Sequence, residues 1–135
     1  MKPDSVLTTH SLISIGFAIP MLFEPEDFLW LYGANPDPDG LYIARLFGAA
    51  LVAVSAITWL AREAPEGPAL DAICAGLAIG CGLGLLVSVI HQLTSPTAGV
   101  LGWTTVIVFA GLSSVYASLW LNRATRRGKP VLQTG

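Results

Sequence analysis

Three side chains could do chemistry in an otherwise apolar sequence: His10, Arg45 and His91. A histidine can carry a proton or hold a ligand near neutral pH, and an arginine offers a fork of donors to an anion. All three are therefore candidate cofactor- or ligand-binding residues. Arg45 sits about one turn inside an apolar run, where a charge costs up to about 3 kcal/mol at full membrane depth and less near the surface. A partner is expected for it, and Glu24, Glu26, Asp27, Asp37 and Asp39 fall on the same side. The alternative for Arg45 is an anion or lipid-headgroup site. His10 and His91 fall near opposite membrane faces and cannot share a metal, so no metal site is expected. His91, near the end of its run, can serve the exposed carbonyls of a helix terminus. No catalytic residue emerges: no nucleophile has a base at the same depth, and there is no CxxC. Gly80, Gly82 and Gly84 lie inside an apolar span and form no phosphate loop. Cys74 and Cys81, seven residues apart on one helix, are about 10 Å apart along its axis and cannot be bridged.

The elements that must position these residues follow from composition. Hydrophobic residues make up 53% of the 135, charged ones only 12%, and the mean hydropathy is +0.66. A soluble domain carries about 25% charged residues, and a chain this small cannot hide so much apolar surface within itself. The remainder must face lipid. No Asp, Glu, Lys or Arg occurs between Asp71 and Arg123, a stretch that holds two spans of about 20 residues each and a turn. Thr94, Ser95, Pro96, Thr97 and Gly99 mark that turn. Four spans are expected, at about residues 6–23, 41–61, 70–93 and 99–121. They form a single all-α transmembrane domain, a four-helix bundle. In the first span Thr8, Thr9 and Ser11 crowd the start, and Pro20 is expected to kink or stop the far end. No small-x-small site follows it, so it is read as a retained span rather than a cleaved signal peptide.

Basic residues beside spans are retained in the cytoplasm. Lys2, Arg62, Arg123, Arg126, Arg127 and Lys129 share one side of a four-span arrangement and only Arg45 takes the other. Both termini are thus expected in the cytoplasm, with a mobile tail over 123–135. In the first outer loop, Glu24 and Pro25 read as a helix start and Gly33 as its stop, giving a short interfacial helix that carries Trp30 and Tyr32. The net charge of −2 and a single short basic tail exclude nucleic acid as a partner. The second and fourth spans end alike, in Trp59-Leu60-Ala61-Arg62 and Trp120-Leu121-Asn122-Arg123. An aromatic anchor followed by a retained charge explains both without duplication.

Gly76, Gly80, Gly84 and Ser88 recur at a spacing of four in the third span, preceded by Ala72. Such a stripe lets another backbone approach closely in lipid. Gly48, Ala49, Ala53 and Ala56 of the second span and Ala110, Ser114 and Ser118 of the fourth are the expected partners in the bundle. The stripe could instead admit a flat ligand such as a quinone or pigment, or touch another subunit or a second copy. Gly82 faces elsewhere and favours a further close contact.

Leu22-Phe23-Glu24-Pro25, then Phe28, Leu31-Tyr32-Gly33, then Ala44-Arg45-Leu46-Phe47-Gly48-Ala49-Ala50, ending at Trp59 and Arg62, resemble the small bacterial four-helix membrane proteins described as DoxX-like. The resemblance covers roughly residues 12–62. It implies a four-helix membrane fold and a small subunit that works beside others; DoxX proper is associated with a thiosulfate:quinone oxidoreductase. The leading expectation is a non-catalytic accessory or assembly subunit of a larger membrane complex, with no resident cofactor. A quinone-linked oxidoreductase subunit is the second expectation. The third is a stand-alone binder or carrier of a small lipophilic molecule, which predicts an internal cavity reached from the outer side near Arg45.

Overall fold

The computed structural model describes residues 3–95 and 98–127; Lys2, Pro96, Thr97, Lys129 and the remaining tail from 128 onward lie outside the described residues. Five helices follow in order: α1 (Pro3–Phe23), α2 (Pro25–Leu31), α3 (Pro38–Ala61), α4 (Pro68–Thr94) and α5 (Gly102–Arg127). All but α2 are long and apolar enough to cross a membrane. The chain is an all-α, multi-pass membrane protein.

Local chemistry sets the boundaries. Proline opens α2, α3 and α4, where its missing N–H has no helical partner to lose. Asp37 caps α3 by accepting a 2.8 Å bond from the Gly40 N–H. Gly33, at φ 80°, ends the α2 segment in a conformation that a side chain would resist. α1 ends at Phe23, the expected end of the first span, and Pro20 does not stop it sooner: the Glu24 N–H is bonded to the Pro20 carbonyl at 2.9 Å. Ending the helix there would have left several backbone groups without partners in lipid, a larger loss than the one bond that proline removes. At the other end of the chain, α5 continues to Arg127 rather than giving way to a tail at 123. Arg123 is held by an ion pair there, and the Thr125 hydroxyl donates back to the Leu121 carbonyl at 2.9 Å.

The bundle is built as two hairpins. α1 packs along α3, with α2 at their turn, and α4 packs along α5; contact between the pairs runs chiefly through α1 and α5. In the first hairpin the Ser11 hydroxyl donates to the Ser55 carbonyl at 2.9 Å, and the Ser55 hydroxyl donates to the Ser11 carbonyl at 3.0 Å. Gly48 lies beneath Leu22 and Met21, where a Cβ would come within 3.0–3.2 Å of three atoms. In the second hairpin the Phe109 ring lies directly on Gly84. Across the hairpins, Val6 and Leu7 meet Leu70, Cys74, Cys81, Leu112 and Tyr116 in one buried cluster. That cluster lies toward the end of the bundle where α1 and α4 begin.

Candidate functional site

Away from the shared cluster the hairpins part and leave a cavity of about 640 Å³. Every helix contributes to it. α1 supplies His10, Ser14 and Phe17; α2 supplies Phe28 and, at its C-cap, Tyr32; α3 supplies Phe47 and Leu51; α4 supplies Leu83, Val87 and His91; α5 supplies Thr105, Phe109 and Leu112. The lining is mostly aromatic and aliphatic, and none of the described residues in it is Asp, Glu, Lys or Arg. Such a volume and surface are those of a small-molecule site. Leu83 and Val87 are also more than half exposed, so the cavity opens sideways onto the apolar exterior of the bundle.

One end of the cavity is bounded by a buried polar pair. His10 Nδ1 and the Tyr116 hydroxyl lie 3.0 Å apart, their rings tilted at 52°. Tyr116 is fully buried, and among the described residues its hydroxyl has no other partner. Its proton therefore goes to His10 Nδ1, which makes Nδ1 the acceptor and leaves the ring's N–H on Nε2. Ser14 lies one turn further along α1, on the same face.

The opposite end is closed by the two turns that join the helices of each hairpin. The Gly99 N–H donates to the Tyr32 carbonyl at 3.1 Å, and Gln92 Nε2 donates to the Gly99 carbonyl at 2.9 Å. A Cβ on Gly99 would lie 2.9 Å from the Tyr32 carbonyl oxygen, so this approach of two backbones requires glycine. Phe28 packs edge-on against Phe17 and tilted against Tyr32, which fixes the aromatic wall between the two ends.

His10 and His91, read from the sequence as belonging to opposite faces, line opposite ends of the same cavity. Among the described residues no cluster of His, Cys, Asp and Glu could hold a metal. His91 lies in the last turn of α4, and the side chain of Gln92 beside it makes the loop contact. Arg45 lies outside the cavity. It is exposed, and among the described residues it forms no ion pair with Glu24, Glu26, Asp27, Asp37, Asp39 or any other acid. Ala44 and Gly48 take the α1-facing side of α3, which turns the next residue outward, and Asp37 is engaged at the helix cap. Among the described residues Gly76 and Gly80 meet nothing within 4 Å and Ala49 and Ala53 are exposed, whereas Gly84 and Gly48 close tightly on a neighbour and a Cβ on Gly82 would lie 3.5 Å from Ser113 Oγ. Ser88 borders the cavity.

Sequence reading missed Tyr116, Ser14 and the pairing of Asp71 with Arg123. The first two could have been found by depth: an antiparallel four-span layout puts Tyr116, two turns before Arg123, near the level of His10, and Ser14 follows His10 by one turn. The third had its signal in the two charges that bound the uncharged stretch. Arg123 Nη1 donates to Asp71 Oδ1 at 2.9 Å, with Glu66 3.8 Å away on its other nitrogen. A second cavity of about 380 Å³ opens beside Arg123, but the two acids already outnumber that cation and leave no excess positive charge for an anion. No protein-family model, curated protein or solved structure matches this chain.

Proposed function

We propose that this protein binds or carries a small lipophilic molecule in the cavity between its hairpins. The observation that carries the reading is the lining: about 640 Å³ enclosed by aromatic and aliphatic side chains from all five helices, without a fixed charge. Exposed Leu83 and Val87 beside it give a ligand a lateral route from the bilayer. The distribution of basic residues supports both termini lying in the cytoplasm, which puts the α2 end of the cavity on the outer side, and the DoxX-like resemblance supports a bacterial inner membrane. The entry differs from the one expected near Arg45, because that side chain faces away.

The test is purification from the native membrane in mild detergent, followed by solvent extraction and mass spectrometry. A lipophilic compound should co-purify at a fixed ratio and be depleted in Val87→Trp, which places an indole in the cavity from an exposed position. A chain that carries nothing reproducibly, and whose content Val87→Trp leaves unchanged, overturns the reading.

A second reading, an accessory subunit beside another membrane polypeptide, is favoured by a different observation. Ala72, Gly76 and Gly80 are exposed on α4, and among the described residues no atom lies within 4 Å of a Cβ at either glycine. In lipid, small residues of this kind admit a second helix. The DoxX-like resemblance belongs with this reading. The same preparation tests it: a partner polypeptide should accompany the chain and be released by Gly80→Leu. A particle containing only copies of the 14.2 kDa chain sinks it.

A further inference from the structure

The cavity is largely apolar, and of its polar lining residues, His10, Ser14, Ser88, His91 and Thr105, only the two at one end are buried, where each leaves a group without a protein partner. His10 is 6% exposed and Ser14 3%, and both line the cavity. His10 spends Nδ1 on Tyr116, and among the described residues Nε2 has no partner. The Ser14 hydroxyl has none either. Other hydroxyls of this chain serve themselves instead: those of Thr8, Thr9, Ser114, Ser118 and Thr125 bond back to the carbonyl four residues earlier. Neither group is sealed in the packing, because the one fully enclosed side-chain polar atom without a hydrogen bond among the described residues is Arg123 Nη2. His10 Nε2 and Ser14 Oγ therefore reach open space, and the open space that both residues line is the cavity.

A polar group buried without a hydrogen bond is destabilising, and more so in a membrane, where water is not at hand to serve it. Two such groups one turn apart on one helix face form a built recognition point. We infer that His10 and Ser14 receive the head of a neutral lipid that carries an oxygen acceptor, a carbonyl or hydroxyl, with its apolar tail lying along the cavity toward Phe28 and Tyr32. This rests on the cavity being a ligand site and names the ligand's class. The N–H assigned to Nε2 demands an acceptor, and the serine hydroxyl supplies a second donor to the same oxygen. The absence of lysine and arginine from the lining disfavours a carboxylate or phosphate head, which would bring an unpaired charge into the cavity.

The experiment uses the full chain in lipid nanodiscs, equilibrated separately with decyl methyl ketone, dodecane and dodecanoate, with saturable retention measured above empty nanodiscs. The ketone should bind about tenfold more tightly than dodecane, the fold-change that one net hydrogen bond produces. Ser14→Ala should shrink that preference severalfold and leave dodecane unchanged, while Ser14→Thr, which keeps the hydroxyl, retains it. The infrared stretch of the bound ketone carbonyl should fall relative to the same ketone in empty nanodiscs, a readout that needs no variant. Equal retention of ketone and dodecane, or tightest retention of dodecanoate, overturns the head assignment and leaves the cavity reading standing. No saturable retention of any probe overturns the cavity reading itself.

Discussion

The two hairpins solve the same problem by different means. α1 and α3 are joined by reciprocal serine-to-carbonyl bonds at mid-depth and by Gly48 seated under Met21 and Leu22. α4 and α5 are joined by an aromatic ring on a glycine, by buried thiols against Tyr116, and by one ion pair at the end of the helices. The look-alike endings of α3 and α5 part company in the same way. Arg62 stacks over Trp59, 3.4 Å from the ring centroid, whereas Arg123 turns inward to Asp71. Small residues therefore do not carry one meaning in this membrane protein. Where hydrogen bonds already draw two helices together, a glycine is enclosed; on α4, whose helix is fastened at its end, Gly76 and Gly80 face outward.

The sharpest way to break the comparison is at the ion pair. Both side chains of Asp71 and Arg123 are 13% exposed. Asp71→Ala leaves the guanidinium with Glu66 alone at 3.8 Å, and should destabilise the chain by about 3 kcal/mol, as breaking a buried pair from one side does. Thermal unfolding in detergent would show a lowered midpoint, and an unchanged one would remove the ion pair from the account of the second hairpin. Next in size is Gly48→Ala. Its Cβ would sit 3.0–3.2 Å from Leu22 and Met21, one of those contacts being backbone, and overpacking of that kind costs about 1–3 kcal/mol. The smallest effect belongs to Gly80→Ala, which meets nothing within 4 Å and should leave the isolated chain unchanged or up to about 1 kcal/mol more stable through helix propensity. If Gly80→Ala destabilises the isolated chain as much as Gly48→Ala does, the contrast between enclosed and outward glycines fails.

Much of the fold was legible because membrane insertion constrains sequence strongly. Span number, the α2 segment between Pro25 and Gly33, and the turn around Ser95 and Gly99 all follow from hydropathy and backbone chemistry. The facing of each helix was less legible. A stripe of glycines and alanines states that close approach is permitted, without stating which helix approaches, and lipid removes the apolar-in pattern that orients helices in water. The acidic partner expected for Arg45 was misjudged for the same reason: its neighbours Ala44 and Gly48, not its charge, decide which way that face of α3 turns. The cavity was not legible at all, since it arises where two hairpins diverge. Of its polar residues His10 and His91 stood out for their chemistry and Ser88 for its place in the small-residue stripe, while Ser14 did not, because a serine in a helix ordinarily satisfies itself and nothing local announces that this one does not.

The pairing of helices also fixes an order of events during synthesis. A chain emerging from its N-terminus presents α1 to α3 before α4 and α5 exist, and that first pair can already satisfy Ser11, Ser55 and Thr58 within itself. His10 is the exception: its protein partner, Tyr116, lies 106 residues later. Until α5 is made, the imidazole stands in a half-built protein with both ring nitrogens unanswered. The residue that the finished molecule holds toward its cavity is thus also the one that waits longest for its place, and the arrival of the last helix marks the moment at which the cavity comes into being.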